Sequence, residues 1–285
     1  MISIKLKAIG WILIASFWGS FNDVFTKLLS SRISPIEIAC WRSFFSFILI
    51  LPFVLRDKKC LKTNQIHIHF LRGGLFFCGI SLWGLGLKTT YISTAALITF
   101  SEPFFLLLLS SLLLREEITY PRLLATLVSF LSVFLIIDIK TLNLASGVVI
   151  LLLAEVFFAL ADIINKYGSN NENHLTIVFY YSLFAFIISS VCTINNFVMP
   201  TCEEFFYMFC LGLSSDLFLA LLLNAFSLAD ASFLSPFKYS EFIFSVMFGF
   251  VFFHEVPTIN SFFVITIIVV CNVLLMLYEN KEKST

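Results

Sequence analysis

Charged side chains recur along this chain at one offset of 139 positions, inside stretches that are otherwise apolar. The repeated pairs are Asp23 and Asp162, Lys27 and Lys166, Glu102 and Glu241, and Glu116 and Glu255. Burying a carboxylate or an ammonium group among apolar side chains costs free energy unless the charge meets a partner or water. A repeat of such residues therefore predicts two related halves that build one polar site.

Glu102 and Glu241 are the strongest candidates for binding a solute. Each lies in the middle third of a predicted membrane span, where a carboxylate costs at least ~2.5 kcal/mol unless it faces a partner or water. Pro103 and Pro236 lie nearby, so both helices are predicted to be kinked or locally unwound beside the acids. The alternative is that each glutamate is protonated and links helices by a hydrogen bond.

The motif Asp-x-x-x-Lys closes the first helix of each half. Its spacing predicts an ion pair on one helix face between Asp23 and Lys27, and again between Asp162 and Lys166. Both aspartates lie deeper than the lysines and are substrate-binding candidates, whereas each lysine can extend toward the lipid headgroups and lock a helix end. The residues predicted to have structural or gating roles are Lys27, Lys166, Glu155 and Asp216.

Further polar and aromatic residues at membrane depth complete the predicted cavity. Arg42 carries a planar guanidinium that suits a carboxylate, either of the solute or of a neighbour such as Glu102. Lys238 precedes Glu241 by three residues, so these two are predicted to neutralise each other when the site is empty. The remaining substrate-binding candidates are Asn22, Trp83, Asn165 and Tyr239.

Composition defines the elements that position these residues. The chain is 59% hydrophobic and only 13% charged, with a mean hydropathy of +0.98, as is typical of multi-span membrane proteins. Apolar stretches of about 20 residues match the thickness of the bilayer as helices. They predict an all-α membrane protein with spans near 8–29, 35–55, 70–88, 91–114, 121–138, 146–167, 175–195, 205–225, 231–253 and 258–278.

The distribution of Lys and Arg near the span ends predicts that both termini are cytoplasmic. Residues 1–139 and 140–285 are then two five-helix repeats, and the odd number of spans inverts the second repeat relative to the first. Inverted repeats are typical of secondary transporters, which present one central site to either side of the membrane.

Several other classes of protein are disfavoured. The seven cysteines and four histidines lack metal-ligand spacing, so no metal and no cofactor are predicted. No nucleophile with a base and no phosphate-binding glycine loop is visible, which argues against an enzyme. The 18 basic and 18 acidic residues balance, which argues against nucleic-acid binding. The predicted partners are a small-molecule substrate and the lipid bilayer, with the chain as a monomer or homodimer.

This layout resembles the EamA-type drug/metabolite transporter superfamily, including the glutamate-containing turns Arg115-Glu116-Glu117 and His254-Glu255-Val256-Pro257. Within it, several stretches are similar to the S-adenosylmethionine uptake transporters of obligate intracellular bacteria. These stretches are Asn22-Asp23, Arg42-Ser43-Phe44-Phe45, Leu51-Pro52-Phe53-Val54, Leu71-Arg72-Gly73, Asp162-Ile163-Ile164-Asn165-Lys166, Ala225-Phe226-Ser227 with Asp230-Ala231, and Tyr239-Ser240-Glu241.

The resemblance implies import of S-adenosylmethionine through the bacterial inner membrane, in exchange for S-adenosylhomocysteine, by alternating access. Such a solute requires carboxylates or aromatic faces for its cations, a guanidinium for its carboxylate and a flat apolar slot for adenine. Because the superfamily carries many solutes, the alternative is a broad-range EamA-type exporter of amino acids or cationic metabolites.

Overall fold

The computed structural model describes residues 4–87, 98–133, 135, 146–194 and 197–281. All regular structure within these ranges is helical. A short 3-10 helix, Lys58–Leu61, joins the second and third α-helices. The α-helices are α1 Ile4–Leu29, α2 Pro35–Arg56, α3 Ile66–Leu87, α4 Glu102–Leu114, α5 Tyr120–Val133, α6 Ser146–Asn171, α7 His174–Thr193, α8 Cys202–Leu228, α9 Ala231–Lys238, α10 Ser240–Phe253 and α11 Ile259–Lys281.

Among the described residues, eight helical segments are long and apolar enough to cross a membrane. Helices α9 and α10 together count as one of these segments, Ala231–Phe253. Two predicted spans, 91–114 and 121–138, are described only as the shorter helices α4 and α5, and the rest of those predictions lies partly outside the described ranges. The predicted boundary between the halves, at residues 139 and 140, also lies outside them and stays a prediction, as does the orientation of the termini.

The ninth predicted span is broken, as its proline indicated. Helix α9 ends at Lys238 and α10 begins at Ser240, with Pro236 inside the last turn of α9. Helix α4 begins at Glu102, with Pro103 in its first turn. Neither glutamate therefore lies in the middle of a continuous helix, as the neighbouring prolines predicted. Each lies in the first turn of a helix, where the positive end of the helix dipole stabilises a carboxylate.

Helices α4 and α10 end in the same way. Each stops at a residue in the left-handed backbone region, Arg115 with φ of 58° and His254 with φ of 56°. The backbone N–H of each donates to a carbonyl of the last turn, of Ser110 and of Gly249 respectively. These two residues are 139 positions apart, so the repeat extends from charged residues to backbone conformation.

Two glycines show how the halves contact each other. A Cβ on Gly73 of α3 would lie 2.9 Å from Phe184 Cβ of α7, and a Cβ on Gly212 of α8 would lie 2.6 Å from Phe45 Cβ of α2. Gly212 follows Gly73 by 139 positions and Phe184 follows Phe45 by the same number. One contact is therefore the counterpart of the other with the halves exchanged, as a pseudo-two-fold arrangement requires.

The packing of the helices also pairs the first half of the chain with the second. Helix α1 packs on α8 and α3 packs on α6, while α2 packs on α7. Each of these interfaces joins the first half of the chain to the second. The centre of the bundle is consequently built from both halves, which places any central cavity between them.

We expect Gly73→Ala to destabilise the protein, because the added methyl group would also lie 3.0 Å from the backbone nitrogen of Ala185, and backbone cannot rotate away. Overpacking of this kind typically costs about 1–3 kcal/mol. The adjacent Gly74→Ala is the matched control, since nothing lies within 4 Å of its added Cβ. Thermal unfolding in detergent should show a lower midpoint for Gly73→Ala alone; equal midpoints for the two variants would contradict the tight interface.

Candidate functional site

A cavity of about 260 Å³ lies between the two halves of the bundle. Nine pairs of its lining residues are related by the offset of 139. The pairs are Gly19/Phe158, Asn22/Ala161, Asp23/Asp162, Thr26/Asn165, Arg42/Tyr181, Phe76/Ser215, Ile80/Leu219, Thr99/Lys238 and Glu102/Glu241. Both members of each repeated pair thus line the same cavity. The other residues that line it are Trp83, Glu155 and Phe218.

The structure brings most of the predicted substrate-binding residues together on this cavity. Those that line it are Glu102, Glu241, Arg42, Asn22, Asp23, Trp83, Asp162, Asn165 and Lys238. Tyr239 is fully buried and packs with Val133, Phe242, Val264 and Ile268 instead. Of the predicted structural or gating residues only Glu155 lines the cavity, while Lys27, Lys166 and Asp216 do not. The roles of all these residues in binding or gating stay predictions.

Lys238 joins three helices through a buried ion-pair triad. Its Nζ lies 2.6 Å from Glu102 Oε2 and 2.6 Å from Asp162 Oδ2, so α4, α6 and α9 meet at this ammonium. The predicted pair between Lys238 and Glu241 is therefore wrong. Lys238 ends α9 and Glu241 belongs to α10, so the break at Tyr239 removes the helical register on which the prediction depended.

The predicted ion pairs within the Asp-x-x-x-Lys motifs are also wrong. Lys27 Nζ lies 2.5 Å from Glu255 Oε1, and Lys166 Nζ donates to the carbonyl oxygens of Phe226 at 2.5 Å and Ala229 at 2.7 Å. Both lysines lie near the end of a helix, so their long side chains reach the polar groups beyond it. The aspartates of the motifs remain on the cavity wall.

Arg42 faces the cavity without a carboxylate partner. Within the described ranges no carboxylate oxygen lies within 4.0 Å of its guanidinium, so the proposed alternative pair with Glu102 is absent. The guanidinium instead lies 4.9 Å from the centre of the Phe76 ring, as a cation–π contact. Asp216, which lies near enough to feel the charge of Arg42, accepts a hydrogen bond from Ser46. Asp23, which lines the cavity with Arg42, also lies near enough to feel its charge.

Glu241 is held against α1 by a glycine. A Cβ on Gly19 would lie only 2.5 Å from Glu241 Oε1, so a glycine is needed for this close approach. Ser20 Oγ donates to the backbone carbonyl of Glu241 at 2.8 Å, which fixes the first turn of α10 beside α1. Asn22 on the next turn of α1 accepts from Ser214 Oγ at 2.5 Å. Helix α1 thereby positions one repeated acid at the cavity wall.

Aromatic side chains also line the cavity. Phe76 of α3 contacts Tyr181 of α7, with ring centres 5.4 Å apart, and Phe158 of α6, with ring centres 6.1 Å apart. Sequence analysis included Trp83 among the cavity residues but missed Phe76, Phe158 and Phe218. The repeat offset gave no signal for Phe76 and Phe158, because their counterparts, Ser215 and Gly19, were not candidates.

One end of the bundle is closed by a polar network around the junction of α8 and α9. Glu116 accepts hydrogen bonds from the backbone nitrogens of Ala231, at 3.0 Å, and Ser232, at 2.8 Å. Arg122 pairs with Glu279 at 2.8 Å and donates to Ser232 Oγ at 2.8 Å. These bonds join the middle of the chain to its last helix.

The opposite end also has polar bonds. Arg32 in the turn between α1 and α2 pairs with Glu204, Lys27 pairs with Glu255, and buried Glu37 accepts from the backbone nitrogen of Val198 at 3.1 Å. A small crevice of about 20 Å³ shares wall residues with the cavity, including Thr26, Arg42 and Trp83, and extends to Ser30 and Pro35 at that turn. In the part of the chain that the structure describes, no cluster of His, Cys, Asp or Glu is placed to hold a metal ion.

A helical bundle of membrane-spanning length around a charged central cavity is the architecture of a membrane transporter. The chain belongs to the EamA-like transporter family, whose model matches residues 6–138 and again residues 145–277. It is a multi-pass protein of the bacterial inner membrane.

Similar proteins and one solved structure match this chain over nearly its whole length. The chain is 34% identical over 277 residues to a protein of Rickettsia bellii named S-adenosylmethionine uptake transporter, covering 97% of this chain and 95% of that protein. A protein of the same name from Rickettsia conorii is 34% identical over 278 residues, covering 97% and 94%. A solved crystal structure shares the fold with a TM-score of 0.80 at 14% identity, covering 98% of this chain and 96% of the other. The relatives' names point to transport rather than catalysis.

Proposed function

We propose that this chain imports S-adenosylmethionine across the inner membrane in exchange for S-adenosylhomocysteine, by alternating access. The proposal depends mainly on one observation, the acidic and aromatic cavity, in a chain that is similar over nearly its whole length to proteins named S-adenosylmethionine uptake transporters. Each feature of the cavity corresponds to one feature of the solute.

The charge of the cavity favours a cation. Five carboxyl groups line it, against one guanidinium and one ammonium, which leaves an excess of three acids, five minus two. S-adenosylmethionine carries a sulfonium, an ammonium and a carboxylate, and thus a single net positive charge. An acid-rich site of low polarity attracts such a solute and repels anions. The carboxyl groups are those of Asp23, Glu102, Glu155, Asp162 and Glu241.

The aromatic wall and Arg42 suit the rest of the solute. Adenine is a flat ring system that can stack on Phe76, Phe158 or Tyr181, which line one face of the cavity. Arg42 offers a guanidinium without a carboxylate partner to the carboxylate of the methionine moiety. The site therefore contains complementary groups for both ends of the molecule.

The volume of the cavity supports a site that changes shape during transport. A volume of about 260 Å³ is just below the ~300–1,000 Å³ of typical ligand pockets, so the cavity has to widen before the whole solute can bind. The crevice toward the α1–α2 turn is one place for this widening, because it shares Thr26, Arg42 and Trp83 with the cavity wall.

Alternating access follows from the paired construction. Glu116 and Lys166 lie near the closed end, and their counterparts Glu255 and Lys27 pair at the other end. In an inverted repeat, each half can adopt the conformation of the other, which moves the opening from one side to the other. We assign gating roles to Lys27 and Lys166 on this basis, with residues 1–139 and 140–285 as the two repeats.

Exchange requires two solutes that share one site. S-adenosylhomocysteine retains the adenosine and the amino acid moiety and lacks only the methyl group and the sulfonium charge. A carrier that changes conformation readily only when loaded exchanges such solutes without an ion gradient. The acids and Arg42 would bind both, and the sulfonium would bias the affinity toward the imported solute.

The test is counterflow in proteoliposomes that contain the purified protein. Labelled S-adenosylmethionine is added outside vesicles preloaded with S-adenosylhomocysteine, with methionine, or with buffer alone. We expect saturable uptake that is accelerated by internal S-adenosylhomocysteine and not by methionine. Uptake that internal S-adenosylhomocysteine does not accelerate would support import and exclude exchange. Equal competition by methionine, lysine and simple amines would favour the broad-range exporter, and absence of uptake by correctly inserted protein would refute the proposed substrate.

A further inference from the structure

Two carboxyl oxygens on the cavity wall have no hydrogen-bond donor. Glu155 Oε1 and Glu102 Oε1 are both buried and without a partner in the described part of the chain, and both residues line the cavity. Glu155 is only 1% exposed. Buried polar atoms without partners are rare in native proteins because each lost hydrogen bond costs free energy, so they indicate a group that is supplied from outside the chain.

The other carboxyl oxygens of this site already have ion-pair or hydrogen-bond partners. Glu102 Oε2 binds Lys238 at 2.6 Å, and Asp162 receives both Lys238, at 2.6 Å, and the amide of Asn165, at 3.2 Å. Thr99 provides a hydrogen bond to the carboxyl group of Glu155. Glu155 Oε1 and Glu102 Oε1 therefore remain available to a further donor. Lys238, the nearest basic side chain, already binds Glu102 Oε2 and Asp162.

The chemistry of the free oxygens selects one part of the solute. A sulfonium has no N–H and cannot donate a hydrogen bond, so it does not satisfy these atoms. The exocyclic amine of adenine can donate but is neutral, whereas two neighbouring carboxyl groups favour a cation. An ammonium group has both the charge and three N–H donors.

We propose that Glu155 and Glu102 bind the α-ammonium group of the methionine moiety, and that Glu155 is the residue that determines specificity for an amino acid tail. This assignment deepens the proposed function and depends on it. The sulfonium is then left to the remaining acids on the α1 side, such as Glu241.

The position of Arg42 agrees with this assignment. Its guanidinium stacks on Phe76, whose ring contacts Phe158, and Phe158 lies one helical turn after Glu155 on α6. Arg42 and Glu155 both line the cavity. The solute's carboxylate and ammonium can therefore meet opposite charges within the same cavity.

Glu155 also breaks the symmetry of the cavity. Its counterpart at the offset of 139 is Ser16, which is buried in α1 and does not line the cavity. The repeated acids occur in both halves, whereas this carboxyl group occurs in only one. A single asymmetric charge can fix the direction in which an elongated solute binds across a pseudo-symmetric site.

The test compares two ligands in the purified protein. Binding of S-adenosylmethionine and of 5′-deoxy-5′-dimethylsulfonioadenosine, which has the sulfonium and adenosine but no amino acid, is measured by competition against labelled S-adenosylhomocysteine. In Glu155→Gln we expect affinity for S-adenosylmethionine to fall about tenfold or more, because a charged hydrogen bond is lost, while affinity for the analogue changes less than twofold. Glu155→Asp keeps the charge and should retain part of the preference.

Glu117→Gln is the matched control, since it makes the same substitution at an exposed carboxylate that lies outside the cavity wall. It should change the affinities for both ligands by the same factor. Equal losses for both ligands in Glu155→Gln, or unchanged affinity for S-adenosylmethionine, would overturn the assignment while leaving the proposed function intact. Failure of the wild-type protein to bind S-adenosylmethionine at all would overturn the proposed function, and this assignment with it.

Discussion

Replacing Lys238 by methionine is expected to abolish most uptake and to lower the thermal unfolding temperature. The Lys238 side chain is only 7% exposed and lies 2.6 Å from carboxylate oxygens of Glu102 and Asp162. Removing one partner of a buried ion pair typically costs about 3–5 kcal/mol, because the remaining charge is left without compensation. Here two carboxylates would lose their shared cation, so α4, α6 and α9 would lose the contact that joins them. Thermal unfolding in detergent and uptake into proteoliposomes measure the two effects.

Two further variants separate folding from transport. Lys27→Met makes the same substitution at a half-exposed lysine, and exposed ion pairs contribute little to stability, so its unfolding temperature should change little. The triple variant Lys238→Met, Glu102→Gln, Asp162→Asn removes the charges together and should regain most of the stability without regaining uptake. An unfolding temperature of Lys238→Met equal to that of the wild type would contradict a structural triad.

The free-energy cost of burying charge allowed several cavity residues to be predicted from the sequence. Asp23, Glu102, Asp162 and Glu241 were identified because a carboxylate at membrane depth costs free energy unless it meets a partner or water, and all four line the same cavity. The same logic applied to Arg42 and Lys238. Residue type and depth therefore predicted which side chains gather at the site.

The partners of these charges could not be predicted in the same way. Lys238 was assigned to Glu241 by helical spacing, yet it binds Asp162, which is 76 positions away in the chain. Likewise, Lys27 binds Glu255 across the bundle rather than Asp23 on its own helix. Local spacing describes pairs on one continuous helix, and it fails where a helix breaks or where another helix offers a closer oxygen.

Aromatic residues show a different limit. The chain has 36 phenylalanines, so ring type alone does not distinguish a cavity wall from a lipid-facing surface. Phe76 and Phe158 were missed for this reason. Tyr239 was included as a polar aromatic residue at membrane depth, although it packs with Val133, Phe242, Val264 and Ile268. The contacts of Gly73 and Gly212, which carry no chemical signal of their own, reveal the relation between the halves more directly.

Replacing Glu241 by glutamine is expected to reduce uptake of S-adenosylmethionine at least about tenfold at low solute concentration, with membrane insertion unchanged. The substitution keeps the size of the side chain and removes one of five acids that line the cavity. Loss of a charged interaction worth about 1.4 kcal/mol already corresponds to a tenfold loss in affinity. Because Glu241 is the acid positioned by α1, its loss should weaken binding of the cationic solute more than binding of S-adenosylhomocysteine. Competition binding with both solutes measures this difference.

Gly19→Ala tests the same carboxyl group without changing its charge. The added Cβ would lie 2.5 Å from Glu241 Oε1, and since this atom ends a flexible side chain, the carboxyl group can move away while the helices stay in place. We therefore expect normal folding with a loss of uptake smaller than that of Glu241→Gln. Gly10→Ala on the same helix is the control, because nothing lies within 4 Å of its added Cβ. Wild-type uptake by both Glu241→Gln and Gly19→Ala would exclude Glu241 from the site, whereas losses in both would show that its position and its charge matter separately.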